Sequence, residues 1–219
     1  MEIHVLNERP SMASHYLAEL RDVHIQQDRH KFRHNLSKLG QIVAFEISKH
    51  LEYQKQAITT PLGEAEEYHL ENWPVIIAII RAALPFFEGI QKMFDQSDAG
   101  FIGAYRVSKS SEGNDIDINM DYTAMPKIDG KDVILADPML ATGKSIERTI
   151  NNLREYGSPK SIHIATVIAS KDGVDYVMKQ TQRLPVTIWS CAIDPVLNEK
   201  SYIVPGLGDA GDLAYGMKH

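Results

Sequence analysis

KDVILADPMLATGKSIERTI (residues 131–150) runs from an apolar stretch through a short loop into a helical pattern. Its VILA core shows no polar alternation, which is how a strand covered on both faces reads. Ile146, Ile150, Leu153 and Tyr156 then fall at helical spacing, and Gly157 is placed to stop that helix. The unit recurs. WPVIIAII (73–80) is followed by the helical LPFFEGIQKMF (84–94), and then by GFIGAYR (100–106) as another strand. SIHIATVIA (161–169), a helix from about Lys171 and PVTIWSCAI (185–193) complete the series. Buried strands separated by helices predict a parallel sheet flanked by helices, an α/β fold. Ligands of such sheets bind at the carboxyl ends of the strands, so the loops after Ile80, Tyr105 and Ala136 are where chemistry is expected.

Outward from this core, the first segment, to about residue 53, reads as helical. Phe32, Leu36, Leu39, Val43, Ile47 and Leu51 line one face, and Arg29, Lys31, Lys38 and Lys49 the other. His30 and His34 stand four apart, a spacing that can hold a metal, but no further ligands accompany them and no metal ligand set is assigned. A polar stretch follows near residues 59–67. Residues 107–130 are rich in Ser, Asp, Asn and Gly, and the alternation in DIDINMDYTAM predicts a two-stranded ribbon with one wet face. No repeat or linker interrupts the pattern, so one domain over 1–219 is expected.

Composition excludes several classes. The net charge of −6 argues against non-specific nucleic-acid binding. The single cysteine, Cys191, sits in an apolar run, which predicts a small buried hydrophobe rather than a nucleophile, and no internal disulfide. The longest apolar run, VIIAII, is too short to span a bilayer, and the first residues lack a signal-peptide pattern. A cytoplasmic protein with no membrane partner is expected.

The loop ADPMLATGKS (136–145) ends like a nucleoside-triphosphate P-loop. That loop needs a glycine five residues before Gly143, where this chain has Pro138, which lacks an N–H and cannot take positive φ. A triphosphate cradle is thereby excluded, yet an anion still suits the place. Unpaired N–H groups at a helix N-terminus and the helix dipole favour negative charge, with hydroxyls from Thr142 and Ser145. Asp137 would repel a phosphate and is better suited to sugar hydroxyls, so the residues ask for a ribose 5-phosphate. An ordinary capped helix would explain Thr142 or Ser145, but not the acid with its following small residues.

VILADPMLATGKS resembles the signature loop of type I phosphoribosyltransferases, which bind 5-phosphoribosyl diphosphate (PRPP). Most members carry two adjacent acids at the strand end; Asp137-Pro138 instead resembles the uracil phosphoribosyltransferase version. YIVPGLGDAGD (202–212) is similar to the uracil-recognition segment of those enzymes, with DPVLNE before it, and IIRAALP and GAYR are similar to their diphosphate loop and second arginine. The resemblance implies the type I phosphoribosyltransferase fold, with an N-terminal helical segment, a flap ribbon at about 107–130 and a C-terminal uracil-binding hood at about 194–212.

It also implies an activity, transfer of the phosphoribosyl group of PRPP to uracil with release of UMP and diphosphate, in pyrimidine salvage. By the same resemblance Asp137 and Arg106 are the catalytic positions. Arg81, Arg106 and Asp209, with the loop Asp137, Pro138, Met139, Leu140, Ala141, Thr142, Gly143, Lys144 and Ser145, bind PRPP. Ile203, Gly208, Asp209 and Ala210 surround uracil, chiefly through backbone groups. Mg²⁺ is expected to arrive on PRPP, GTP is expected as an effector, and a homo-oligomer, dimer or larger, is expected. Two positions depart from the family pattern, Lys144 and Ala83, where glycine is usual; Ala83 is expected to narrow the diphosphate space. The competing readings are a phosphoribosyltransferase for another base and a PRPP-binding or RNA-binding regulator without turnover.

Overall fold

The computed structural model describes residues 2–107 and 117–217, with the backbone alone for 104–107 and 117–121. In chain order its strands are β1 (Glu2–Val5), β2 (Tyr53–Thr60), β3 (Gly63–Leu70), β4 (Val75–Ile80), β5 (Ala99–Val107) and β6 (Asp117–Ala124). There follow β7 (Asp132–Ala136), β8 (Met139–Leu140), β9 (Ser161–Ser170), β10 (Val186–Asp194), β11 (Val196–Leu197) and β12 (Ile203–Val204). The helices are α1 (Met12–Arg21), α2 (Arg29–Ser48), α3 (Leu84–Met93), α4 (Lys144–Leu153), α5 (Lys171–Gln180) and α6 (Ala210–Tyr215).

The main sheet runs β1-β10-β9-β7-β4-β5-β6, with β8 alongside β9. All its pairings are parallel except β5 with β6. Alternate residues of each strand face opposite ways, so the apolar runs feed two cores. Ile76, Ala78, Ile134, Ala136 and Trp189 pack with α1, α2, α3 and α6. Val75, Ile77, Val133, Leu135 and Ile164 meet Ile146 and Ile150 of α4 and Val174 and Val177 of α5 on the other face. The helices lie on both faces of the sheet, in agreement with the unalternated strands.

Three local expectations change. The first segment is not helical throughout, because β1 pairs in parallel with β10 at the sheet edge; four residues are too few to show a period. The described half of the expected ribbon, β6, extends the main sheet by pairing with β5 rather than standing apart, and residues 108–116 of the expected flap lie outside the described residues. The helix after the signature loop stops at Leu153 rather than near Gly157. A separate antiparallel hairpin, β2 with β3, occupies the stretch that reads as polar from the sequence. Its side chains are mostly exposed, so no apolar face advertised it. No helix among the described residues is long and apolar enough to cross a membrane.

Candidate active site

Neighbouring strands β4 and β7 pair in register, Ala78 opposite Ala136. The chain leaves β4 toward β5 and leaves β7 toward β9, so their carboxyl ends flank the topological switch point of the sheet. Arg81 follows β4, and the loop 137–145 follows β7, so the fold sets both at the same edge.

The loop is braced from below. The Asp137 N–H donates to Ala165 O (3.1 Å), and Pro138 O accepts from Val167 N (3.2 Å) and Ile168 N (3.1 Å). One carboxylate oxygen of Asp137 accepts the Met139 N–H at 3.2 Å, which turns the half-buried side chain back over its own loop. Ser170 Oγ donates to Ala141 O at 2.5 Å. Gly143 caps α4 with φ of 76°, and a Cβ there would lie 2.9 Å from Gly173 O and 2.7 Å from Val177 Cγ2. Only glycine meets both demands. The Lys144 N–H points to Thr142 Oγ1 at 3.4 Å, and the first turn of α4 begins there. A helix N-terminus presented by a glycine and flanked by hydroxyls is an anion cradle.

Arg81 is joined to the C-terminal segment. Its Nη2 donates to Asp212 Oδ1 at 2.7 Å and to Gly216 O at 2.8 Å, while its buried Nε has no hydrogen-bond acceptor. The Ile80–Arg81 peptide is cis. Ala83 has φ of −71°, which any residue adopts, and is fully buried in the core, so the position does not require glycine and its methyl is taken up by packing. Arg106 lies on β5 opposite Ile118, and its side chain is outside the described residues.

The segment expected to recognise the base is a compact turn. β12 pairs with β11, Ile203 opposite Leu197, and the chain then passes through a cis Val204–Pro205 bond to Gly206 (φ 62°) and Gly208 (φ 95°). Asp209 caps α6 by accepting the Asp212 N–H at 2.9 Å. Ile203 and Ala210 are buried, whereas the Gly208 backbone is exposed. A cavity of about 460 Å³ opens against this segment, lined by Gln26, Arg29, Leu207, Gly208 and Asp209 among others, though not by the signature loop.

Two residues that sequence reasoning missed hold that turn. Arg21, the last residue of α1, grips Asp194 with both terminal nitrogens, at 2.8 and 2.7 Å. Asp194 Oδ2 also accepts the Gly206 N–H at 2.8 Å, and Arg21 Nη1 donates to Gly206 O at 3.0 Å. Both backbone polar groups of Gly206 are thus held by side chains. Asp194 is buried, and its charge is matched by the bidentate pair. The signal was present only in part, as the Asp of DPVLNE; its partner lies 173 residues away.

Cys191 is buried, which pushes its thiol up to about 12 and agrees with a packing role. Burial lowers His163 to about 4, so its ring is neutral at physiological pH. Ser161 Oγ donates to Asp132 (2.6 Å) and faces His163 Nε2 (3.0 Å), while Trp189 Nε1 donates to His163 Nδ1 (3.1 Å). Those partners assign the ring proton to Nε2.

Known proteins resemble this chain over its length. The sequence model of the uracil phosphoribosyltransferase family matches residues 8–217. A uracil phosphoribosyltransferase of Porphyromonas gingivalis is 46% identical over 218 residues, with all of both chains covered. One from Pyrococcus furiosus is 39% identical over 91% of this chain and 84% of its own. A solved protein structure from Aquifex aeolicus superposes with a TM-score of 0.86 at 28% identity, over 99% of each chain. A family match over nearly the whole length, and relatives of the same length at this identity, put the conclusion beyond the fold: the chain belongs to the uracil phosphoribosyltransferase family.

Proposed function

We infer that this protein transfers the phosphoribosyl group of PRPP to uracil, forming UMP and diphosphate. The observation that carries the reading is the anion cradle at Gly143 and α4, set beside Arg81 at the switch point, in a chain matched end to end by the family. The bond from C1 of the ribose to the diphosphate oxygen breaks, the bond from uracil N1 to C1 forms, and the N1 proton is released. The leaving diphosphate takes the bonding pair.

The chain's residues divide that work. The loop from Pro138 to Ser145 wraps the 5-phosphate, chiefly through backbone N–H groups toward its α4 end, with Lys144 adding charge. Asp137 binds the ribose hydroxyls, where a carboxylate accepts hydrogen bonds and repels a phosphate that would enter the wrong way round. Arg81 contacts the diphosphate. Its buried Nε lacks an acceptor that a phosphate oxygen would supply, and Asp212 holds the guanidinium in place. Arg106, by its place on β5, serves the same anion. Asp209 serves PRPP, and the backbone of Ile203, Gly208 and Ala210 reads the uracil edge. Positioning and fixed charges of this kind lower a barrier whose transition state resembles an oxocarbenium ion.

The carboxylates of Asp137 and Asp209 are hard oxygen donors, which fits a substrate that enters as its magnesium salt; bound with PRPP, Mg²⁺ would supply charge neutralisation at the diphosphate. A GTP effector, a homo-oligomer and a cytoplasmic setting complete the proposal by family likeness, with residues 1–219 acting as one domain. Purified protein given Mg²⁺, PRPP and a panel of bases is expected to make UMP from uracil and no nucleotide from purines or orotate. PRPP binding in calorimetry without any turnover would instead establish a binding protein.

A further inference from the structure

We propose that Glu2, His4 and His50 form a binding site for a divalent transition-metal ion of the zinc class, one that joins the edge strand β1 to the end of α2. Glu2 and His4 are two apart on β1 and therefore share a side of the strand. His50 lies two residues beyond α2, in a turn fixed by its N–H to Ile47 O at 2.9 Å. One ligand atom from each of the three lies within 4.8 Å of the others.

The internal geometry suits metal ligands. His4 Nε2 stands 3.4 Å from Glu2 Oε2, within ion-pair reach, yet no hydrogen bond joins them and the buried nitrogen makes none elsewhere. A buried ring nitrogen left unpaired is costly. Two donors bound at about 2.0–2.2 Å to one tetrahedral ion stand about 3.3–3.5 Å apart, so an ion between them would account for both the separation and the missing bond.

The ring of His4 is also held in place. It stacks on Trp189 with centroids 4.0 Å apart and planes 11° from parallel, and the His50 ring stands edge-on to it at 5.0 Å. Trp189 is itself fixed through Nε1 to His163 and on to Ser161 and Asp132. The stack limits how far the His4 ring can turn, which keeps its Nε2 on the side of Glu2. Two imidazoles and one carboxylate favour zinc over magnesium or calcium, which prefer oxygen alone. Glu2 and His50 are exposed, and the cluster borders a cavity of about 670 Å³ beside Ser11, Glu46 and Trp189, so an ion has a route in. The His30 and His34 rings, parallel at 6.3 Å, have no third ligand beside them among the described residues.

The test is a calorimetric titration of untagged, chelator-treated full-length protein with zinc chloride, in the absence of PRPP. One saturable site per chain is expected. Binding should weaken at least about 30-fold in His50→Ala and in His4→Ala, and stay unchanged in the His30→Ala/His34→Ala double variant. Zinc should raise the melting temperature of the parent protein and leave that of His50→Ala where it was. Because His4→Ala also removes the stack on Trp189, His50→Ala and Glu2→Gln, both at exposed positions, carry the decision should it fail to fold. Absence of saturable binding, or binding that persists in His50→Ala and Glu2→Gln, overturns the site.

Discussion

Pro138 excludes a triphosphate cradle and Asp137 points to a ribose, and the surroundings of Asp137 make a sharp substitution possible. Its carboxylate accepts the Met139 N–H, and an amide of the same shape can keep that bond. Asp137→Asn should therefore fold with an unchanged melting temperature, while turnover falls by ~10²-fold through loss of the charge beside the ribose. Wild-type turnover in this variant, measured as UMP formation, would remove Asp137 from the site. Lys144 prompted the P-loop reading, but the structure gives the loop its form through Gly143 and the braces from β9 and α5.

His163 supplies a second prediction, with its sign set by burial. The folded ring is held at about 4, below the ordinary 6.5, so the folded state favours the neutral form. Its stabilising contribution is complete above pH 6.5 and is lost as the pH falls toward 4. His163→Gln can keep a donor and an acceptor but cannot take up a proton. In chelator-treated buffer, its melting temperature should fall less steeply than that of the parent between those two pH values. Parallel curves for the two proteins would show that His163 does not set this dependence.

Among the elements, the proposed base-recognition turn is held by partners distant in the chain. Its Gly206 is held on both sides by Arg21 and Asp194. Asp194→Asn weakens that hold without deleting the side chain. The expected result is a KM for uracil raised by about tenfold, equivalent to about 1.4 kcal/mol, with the KM for PRPP little changed. Equal increases in both constants would mean that the pair supports the whole fold and not the turn. This clamp also shows why some of the site was legible in the sequence and some was not. A strand, an acid, a glycine and a helix in succession are contiguous and carry their chemistry in order. Arg21 and Asp194 meet only after folding, and an arginine at the end of α1 looks like any solvated helix terminus. For the same reason β3, β4, β7, β9 and β10 divide by burial. The last four are apolar runs and read as strands, whereas β3 is exposed and falls in a stretch that reads only as polar. The four-residue β1 needed β10 beside it before it had a pattern at all.

At the scale of the molecule, the two halves of the proposed reaction meet through α6. Arg81 reaches from the switch point to Asp212 and Gly216, Arg33 of α2 donates to Ala214 O at 2.7 Å, and Arg21 holds Gly206 at the other end of the same segment. A segment of about a dozen residues, gripped by three arginines from three parts of the chain, is held at both ends. If it moves as one body, loosening the Arg81 end is felt at the Gly206 end. Asp212→Asn should then raise the KM for PRPP, because Arg81 loses its charged partner, and should also disturb uracil. Asp194→Asn, at the end of β10, and Asp212→Asn, within α6, loosen the two ends of that segment and should not combine independently: the double variant is expected to depart from the summed single effects by ~0.5 kcal/mol or more in kcat/KM for uracil. Strict additivity would mean that the two ends are separate supports, and that the grip on diphosphate and the reading of the base are coupled by the substrates alone.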